Sequence, residues 1–133
     1  MLGELISEGV GKRGTRRVIA VEPKLQVEVS FEAPTQVLGL QGLNVGTYVS
    51  STRADQTLEG EGHGVFAAPG GEIATWKGIA NGHYLADGAV SYRGAITFSS
   101  SSPTLSRLNA VAGVFEFEVS ADGTTKSRIW EWK

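Results

Sequence analysis

The sequence predicts an all-β protein, a closed antiparallel barrel of about eight strands, on three observations. Apolar and polar residues alternate with period two through most of the chain. Short signals rich in Gly, Asp and Pro separate those runs, as hairpin turns require. Glycine is abundant, 18 of 133 residues, and in a helix each would cost roughly 1 kcal/mol relative to alanine.

The first extended candidate is 17–21, followed by 25–32, whose strict alternation puts Leu25, Val27, Val29 and Phe31 on one face. Pro34 is expected to end that run, because proline has no N–H for a ladder, and Val37-Leu38-Gly39-Leu40 opens another segment before Asn44. Segments 47–52 and 57–67 come next. The Pro69-Gly70-Gly71 step then turns the chain, and 73–81 returns antiparallel. A hairpin centred on Gly70-Gly71 sets His63 opposite Gly78 and leaves His83 on the other face.

In the second half, Asp87-Gly88 introduces an alternating strand over 90–98, with Val90, Tyr92, Ile96 and Phe98 sharing a face. Residues 105–109 fit a short strand or a single helical turn. The last hairpin joins 114–119 to 126–132 through Asp122-Gly123, so Phe115, Phe117 and Val119 face one way. A sheet of this many twisted strands closes or folds over to protect its edges. Gly60, Gly62, Gly64, Gly78 and Gly94 favour closure, since they suit the sharply curved strands of a narrow barrel. The chain reads as one domain, 1–133.

Composition narrows function chiefly by exclusion. A net charge of -2 gives no generic affinity for nucleic acid or anionic lipid. No apolar run approaches the roughly 18 residues of a membrane-spanning helix. Without cysteine there are no disulfides, thiolate metal sites or cysteine nucleophiles. Met1 to Ile6 lack the basic flank and apolar stretch of a secretory signal, so the expected address is cytoplasmic.

Gly9-Val10-Gly11-Lys12-Arg13-Gly14 matches a dinucleotide fingerprint as a string. That mechanism needs a helix after the glycines, whereas residues 15–21 read as a strand, so a glycine hairpin is the better account. Lys12, Arg13, Arg16 and Arg17 form a basic cluster: a solvated surface around a turn, or a site for an anion.

Glu59, Glu61 and His63 lie two apart and so share one side of a strand. Facing inward, they could shuttle a proton or offer oxygen and nitrogen ligands to a metal, although His83 on the other face argues against a two-histidine site; facing outward, they are a wet surface. No metal site and no cofactor are expected. Tyr92 and Arg93 point to opposite faces, and Tyr92 belongs with the core face. Trp76, Trp130 and Trp132 wall an apolar cavity if inward and mark a subunit contact if outward.

Several segments, Gly46-Thr47-Tyr48, Gly60-Glu61-Gly62-His63-Gly64, Ala74-Thr75-Trp76-Lys77-Gly78, Ser91-Tyr92-Arg93-Gly94, 113–119 and Trp130-Glu131-Trp132-Lys133, together resemble a bacterial family of unassigned function. Members of that family fold as barrels of the allene oxide cyclase type. The resemblance runs in order along nearly the whole chain and implies an eight-stranded antiparallel barrel. It carries over no cyclase site and implies little about activity.

Three functions follow as expectations. The first is a barrel that binds a small apolar or amphipathic molecule, with Glu59, Trp76, Trp130 and Trp132 as candidate ligand contacts. The second is a cofactor-free isomerase or cyclase, in which Glu61, His63, Tyr92 and Asn109 steer a reactive substrate. The third is a filled barrel whose role is assembly, a homo-oligomer being the expected state. Interior volume discriminates them.

Overall fold

The computed structural model describes residues 2–133. Eight strands follow in chain order: β1 Leu2–Ala20, β2 Gln26–Val37, β3 Leu40–Thr52, β4 Leu58–Ala67, β5 Ile73–Tyr84, β6 Val90–Ser99, β7 Ala112–Val119 and β8 Thr124–Trp132. Each pairs antiparallel with the next, and β8 pairs with β1 to close the barrel. Closure leaves no bare sheet edge around most of the wall, which a sheet of this size must otherwise shield. A 3-10 helix, Pro103–Ala110, joins β6 to β7.

The turns follow local chemistry. Gly71, Gly88 and Gly123 adopt positive φ at the β4–β5, β5–β6 and β7–β8 connections, where a side chain would be strained. The β2–β3 turn was not legible: Leu38 and Gly39 both take positive φ, at 51° and 82°, in a two-residue hairpin. The leucine tolerates this because the turn is fixed on both sides. Leu38 N donates to the Ile6 carbonyl at 2.8 Å, and Gly39 N to Gln36 Oε1 at 2.9 Å.

Two expectations near the N-terminus are corrected. Gly9 to Gly14 form no hairpin, because β1 runs unbroken for 19 residues through them. Gly9 and Gly11 face inward, where Thr35 and Ala33 of β2 come so close that a Cβ would collide. Pro34 does not end β2 either. The β1–β2 ladder simply lapses at Ala33 and Pro34 and resumes at Glu32 in the same register, as a residue without an N–H demands.

Residues 105–109 are helical, and they plug one end of the barrel. Leu105 and Leu108 are fully buried among Ile6, Val37, Phe66, Ala74, Ile96 and Ile129. Arg107 latches the plug to the wall: it donates to Glu4 of β1 at 3.3 Å and to Glu131 of β8 at 2.7 Å. Toward the opposite end the core changes character. Phe31, Tyr48, Tyr92 and Phe117 cluster there with Leu58 and Val119. That end carries no helix among the described residues.

β1 and β2 also outrun the barrel. Pairing of β1 with β8 stops at Lys12, opposite Thr124, whereas pairing with β2 continues to Ala20. A bulge between Arg13 and Arg16 shifts the register as the hairpin leaves the wall. The projecting arm exposes Val18, Ile19, Val21 and Leu25.

Candidate functional site

The inner faces of the strands place large aromatics opposite glycines. Trp76 of β5 pairs with Gly64 of β4, which pairs in turn with Gly46 of β3. A Cβ on Gly46 would stand 2.6 Å from Trp76 Cζ2 and 2.7 Å from Phe31 Cε1. The Tyr92 ring likewise lies over Gly60 and Gly82. The glycines thus leave space that rings from neighbouring strands occupy, the arrangement in which an aromatic covers a bare stretch of sheet.

Between plug and aromatic cluster the rings leave a partly enclosed cavity of about 80 Å³. Phe31, Tyr48, Phe66, Trp76, Tyr92 and Phe117 are among the residues that line it. Asn44, Thr35, Ser7 and Ser127 interrupt it with polar groups. The rings lock one another: Phe31 and Phe117 have centroids 5.1 Å apart, and Tyr48 meets Tyr92 edge-on at 5.7 Å. Such pairs contribute about 0.5–1.5 kcal/mol each beyond their buried area.

Polar partners inside are specific. Trp76 Nε1 donates to Asn44 Oδ1 at 2.8 Å, and the Tyr92 hydroxyl to Ser50 Oγ at 3.1 Å. Burial raises the Tyr92 phenol above its ordinary pKa, and the Ser50 bond offsets part of that rise. Tyr48 is raised further, by burial first and by neighbouring Tyr92 second, with Arg13 and Arg16 pulling the other way. No hydrogen bond tempers it.

Of the residues singled out from the sequence, Trp76 and Tyr92 reach the cavity. Glu59, Glu61 and His63 do not project into it. They alternate along β4 with inward Gly60, Gly62 and Gly64, and all three are exposed on the outer face. Glu61 borders the cavity only as wall between Gly60 and Gly62. Glu59 is held outside by an ion pair with Arg53 at 3.2 Å.

The β4–β5 register also differs from expectation. His63 pairs with Lys77, and Gly62 with Gly78. His63 and His83 therefore share the outer face, but Leu58↔Gly82 pairing puts them about six residues apart along the ladder, roughly 20 Å. No group of three His, Asp or Glu able to hold a metal exists among the described residues.

Asn109 lies on the plug, exposed, with both ends of its amide engaged. It donates to the Ser100 carbonyl and accepts from Ser100 N, each at 2.8 Å. It closes a loop and does not face the cavity. Trp130 and Trp132 lie outside as well: Arg128 stacks over the Trp130 ring at 5.5 Å, and Trp132 is 62% exposed. A wider depression of about 580 Å³ crosses the outer face of β4 to β7. It is open to solvent and floored by Glu61, Ile79, Arg93 and Val114.

Sequence reasoning missed Tyr48 and Asn44 as cavity groups. The alternation of inward Asn44, Gly46, Tyr48 and Ser50 along β3 was the available signal. It is muted because the outer face of that segment also carries Val45 and Val49.

No family model matches the chain, and no curated protein matches it in sequence. Solved structures do. A conserved protein of unknown function from Rhodopseudomonas palustris superposes with a TM-score of 0.81 at 12% identity, over 99% of each chain. A protein of unknown function from Clostridium acetobutylicum gives 0.84 at 10% identity, covering 99% of this chain and 98% of its own. A β-barrel-like protein from Acinetobacter baumannii gives 0.83 at 11%, covering 100% and 96%. An enzyme from Penicillium herquei gives 0.68 at 15%, covering 96% and 92%. At these identities the likeness is one of fold, and it places the chain among closed eight-stranded antiparallel barrels that include bacterial proteins of unknown function.

Proposed function

We propose that the protein binds a small apolar or amphipathic molecule inside an allene oxide cyclase-type barrel. The observation that carries this reading is the aromatic cavity of about 80 Å³ with a few fixed polar groups, the composition of a small-molecule site. Its glycine-backed rings are held by packing and by the Trp76–Asn44 bond, so the space exists before any ligand arrives. The modest volume favours a ligand of only a few heavy atoms across. The fungal enzyme of similar fold adds no chemistry to this reading, because a shared barrel does not transfer a reaction.

Native mass spectrometry of freshly purified protein tests the proposal. A retained small molecule, released on unfolding, is the expected result. An empty protein that also leaves the Trp76 indole resonance unmoved by millimolar phenylacetamide, hexanamide and their parent acids overturns it.

A second reading, assembly into a homo-oligomer, is favoured by one patch. Leu2 and Trp132 are cross-strand partners on the outer wall, 56% and 62% exposed. Paired exposed apolar side chains of this size suit a subunit contact. The same spectrum reads the subunit number, and a monomer removes this reading.

A further inference from the structure

The chain has seven arginines, and five of them are committed. Arg17 pairs with Glu28, Arg53 with Glu59, Arg93 with Glu116, Arg107 with Glu4 and Glu131, and Arg128 with Glu8. Among the described residues, Arg13 and Arg16 have no carboxylate partner. Both stand at the end of the barrel away from the plug, on the side of β1 that continues its inner face, Arg13 half-buried at the rim and Arg16 exposed where the hairpin leaves the wall. Arg13 pairs across β1–β2 with Phe31, and Arg16 with Val29, which pairs onward with Tyr48. Phe31 and Tyr48 both line the cavity.

The bulge is what brings them together there. In an unbroken strand, residues three apart point to opposite faces. The register shift between Arg13 and Arg16 returns the second guanidinium to the face of the first. Arg17 falls outside in consequence and reaches Glu28. Lys12 is also outside, with its ammonium 3.3 Å from Thr124 Oγ1. A basic cluster close in sequence is thereby divided into two cations on the outward side of β1 and two on the side that continues its inner face.

Two further features mark the inward pair as more than solvated charge. Both cations lie near enough to Tyr48 to favour its ionised form, and its hydroxyl makes no hydrogen bond among the described residues. The net charge of the whole chain is -2, so this local positive field runs against the global balance and draws anions toward one place. The Arg13 backbone N–H donates to the Gly123 carbonyl at 2.8 Å, which anchors β1 against the β7–β8 turn, and the Arg13 guanidinium lies beside Gly123 at that turn.

We propose that Arg13 and Arg16, with the Tyr48 hydroxyl, form an oxyanion site at the unplugged end of the barrel. The ligand class is then a small amphipathic anion, an aryl or short-chain carboxylate, whose apolar body enters the aromatic cavity. Guanidinium forks match a carboxylate by paired N–H donors, and the phenol adds a third. This inference rests on the cavity-binding reading above and specifies its ligand.

Matched pairs of neutral and anionic probes test it: phenylacetate against phenylacetamide, and hexanoate against hexanamide. Each is titrated into wild-type protein and into the Arg13→Ala/Arg16→Ala double variant, following the Trp76 indole N–H by NMR. Neither arginine is in an ion pair, so the variant is expected to fold, and its thermal midpoint is checked. The carboxylates should bind wild type more tightly than the amides, lose at least about tenfold in affinity in the variant, and weaken with added salt. The amides should not distinguish the two proteins. Tyr48→Phe should weaken the carboxylates alone. If carboxylate and amide bind alike in both proteins, the oxyanion site is wrong while the cavity reading stands. If no probe moves Trp76, both fall.

Discussion

Asn44 and Trp76 are joined inside the barrel although their strands are not neighbours. The indole of β5 crosses β4 over Gly64 and donates to the Asn44 amide of β3 at 2.8 Å. A side chain on residue 64 would block the crossing. Three residues on three strands therefore fix one wall of the cavity.

Asn44→Leu should leave the indole N–H unsatisfied in an apolar interior. The expected loss is about 1–3 kcal/mol in urea unfolding. Tryptophan emission should shift as the ring loses its anchor. An unchanged urea midpoint together with unchanged emission would mean that the bond holds nothing in place.

Gly46→Ala should cost about 1–3 kcal/mol, because its methyl meets the Trp76 and Phe31 rings at 2.6 and 2.7 Å. Gly14→Ala is the control. Its Cβ meets only the Ser30 carbonyl, at an ordinary 3.5 Å, and its stability should change by no more than about 0.5 kcal/mol. Equal unfolding midpoints for the two variants would contradict the close approach of Trp76 and Phe31.

Alkaline pH should destabilise the fold through its buried phenols. Tyr48 and Tyr92 are both held above their ordinary pKa, chiefly by burial. The unfolded chain releases these protons near pH ~10, before the folded one does. Above that pH the native state binds more protons than the unfolded state, so stability falls as pH rises, and below it these groups contribute no slope. Urea midpoints measured from pH 8 to 11 should bend downward near 10. Tyr48→Phe should make the bend shallower.

His63→Ala should change neither thermal midpoint nor small-molecule binding, since the imidazole is exposed on the outer wall opposite Lys77. A weakened retained ligand in this variant, seen by native mass spectrometry, would place the working face of β4 outside the barrel.

Much of the wall was legible because alternation reports a physical boundary. The inward sets Val29 and Phe31, and Tyr92, Ile96 and Phe98, follow directly from period two, whereas Leu25, expected on the first of these faces, is exposed on the projecting arm. The Asp-Gly turns at 87–88 and 122–123 follow from glycine's positive φ. What stayed hidden was parity and phase. A one-residue difference in the β4–β5 register reversed the relation of His63 to His83, since each step exchanges the faces. The bulge in β1 did the same for Arg16, and no residue there announces it. The length of β1 was masked because Gly9 and Gly11, present to let β2 approach, look like turn residues when read alone.

The buried leucines of the plug, Leu105 and Leu108, have a kinetic consequence. A tube stoppered at one end is a cul-de-sac, so a visitor arriving by the other end has to back out along the route it took. Any narrowing along that route slows arrival and departure by the same factor and leaves the equilibrium untouched. A long flexible chain cannot be threaded through such a vessel, and on the binding proposal above its occupants would be objects that fit whole or that keep one end in water.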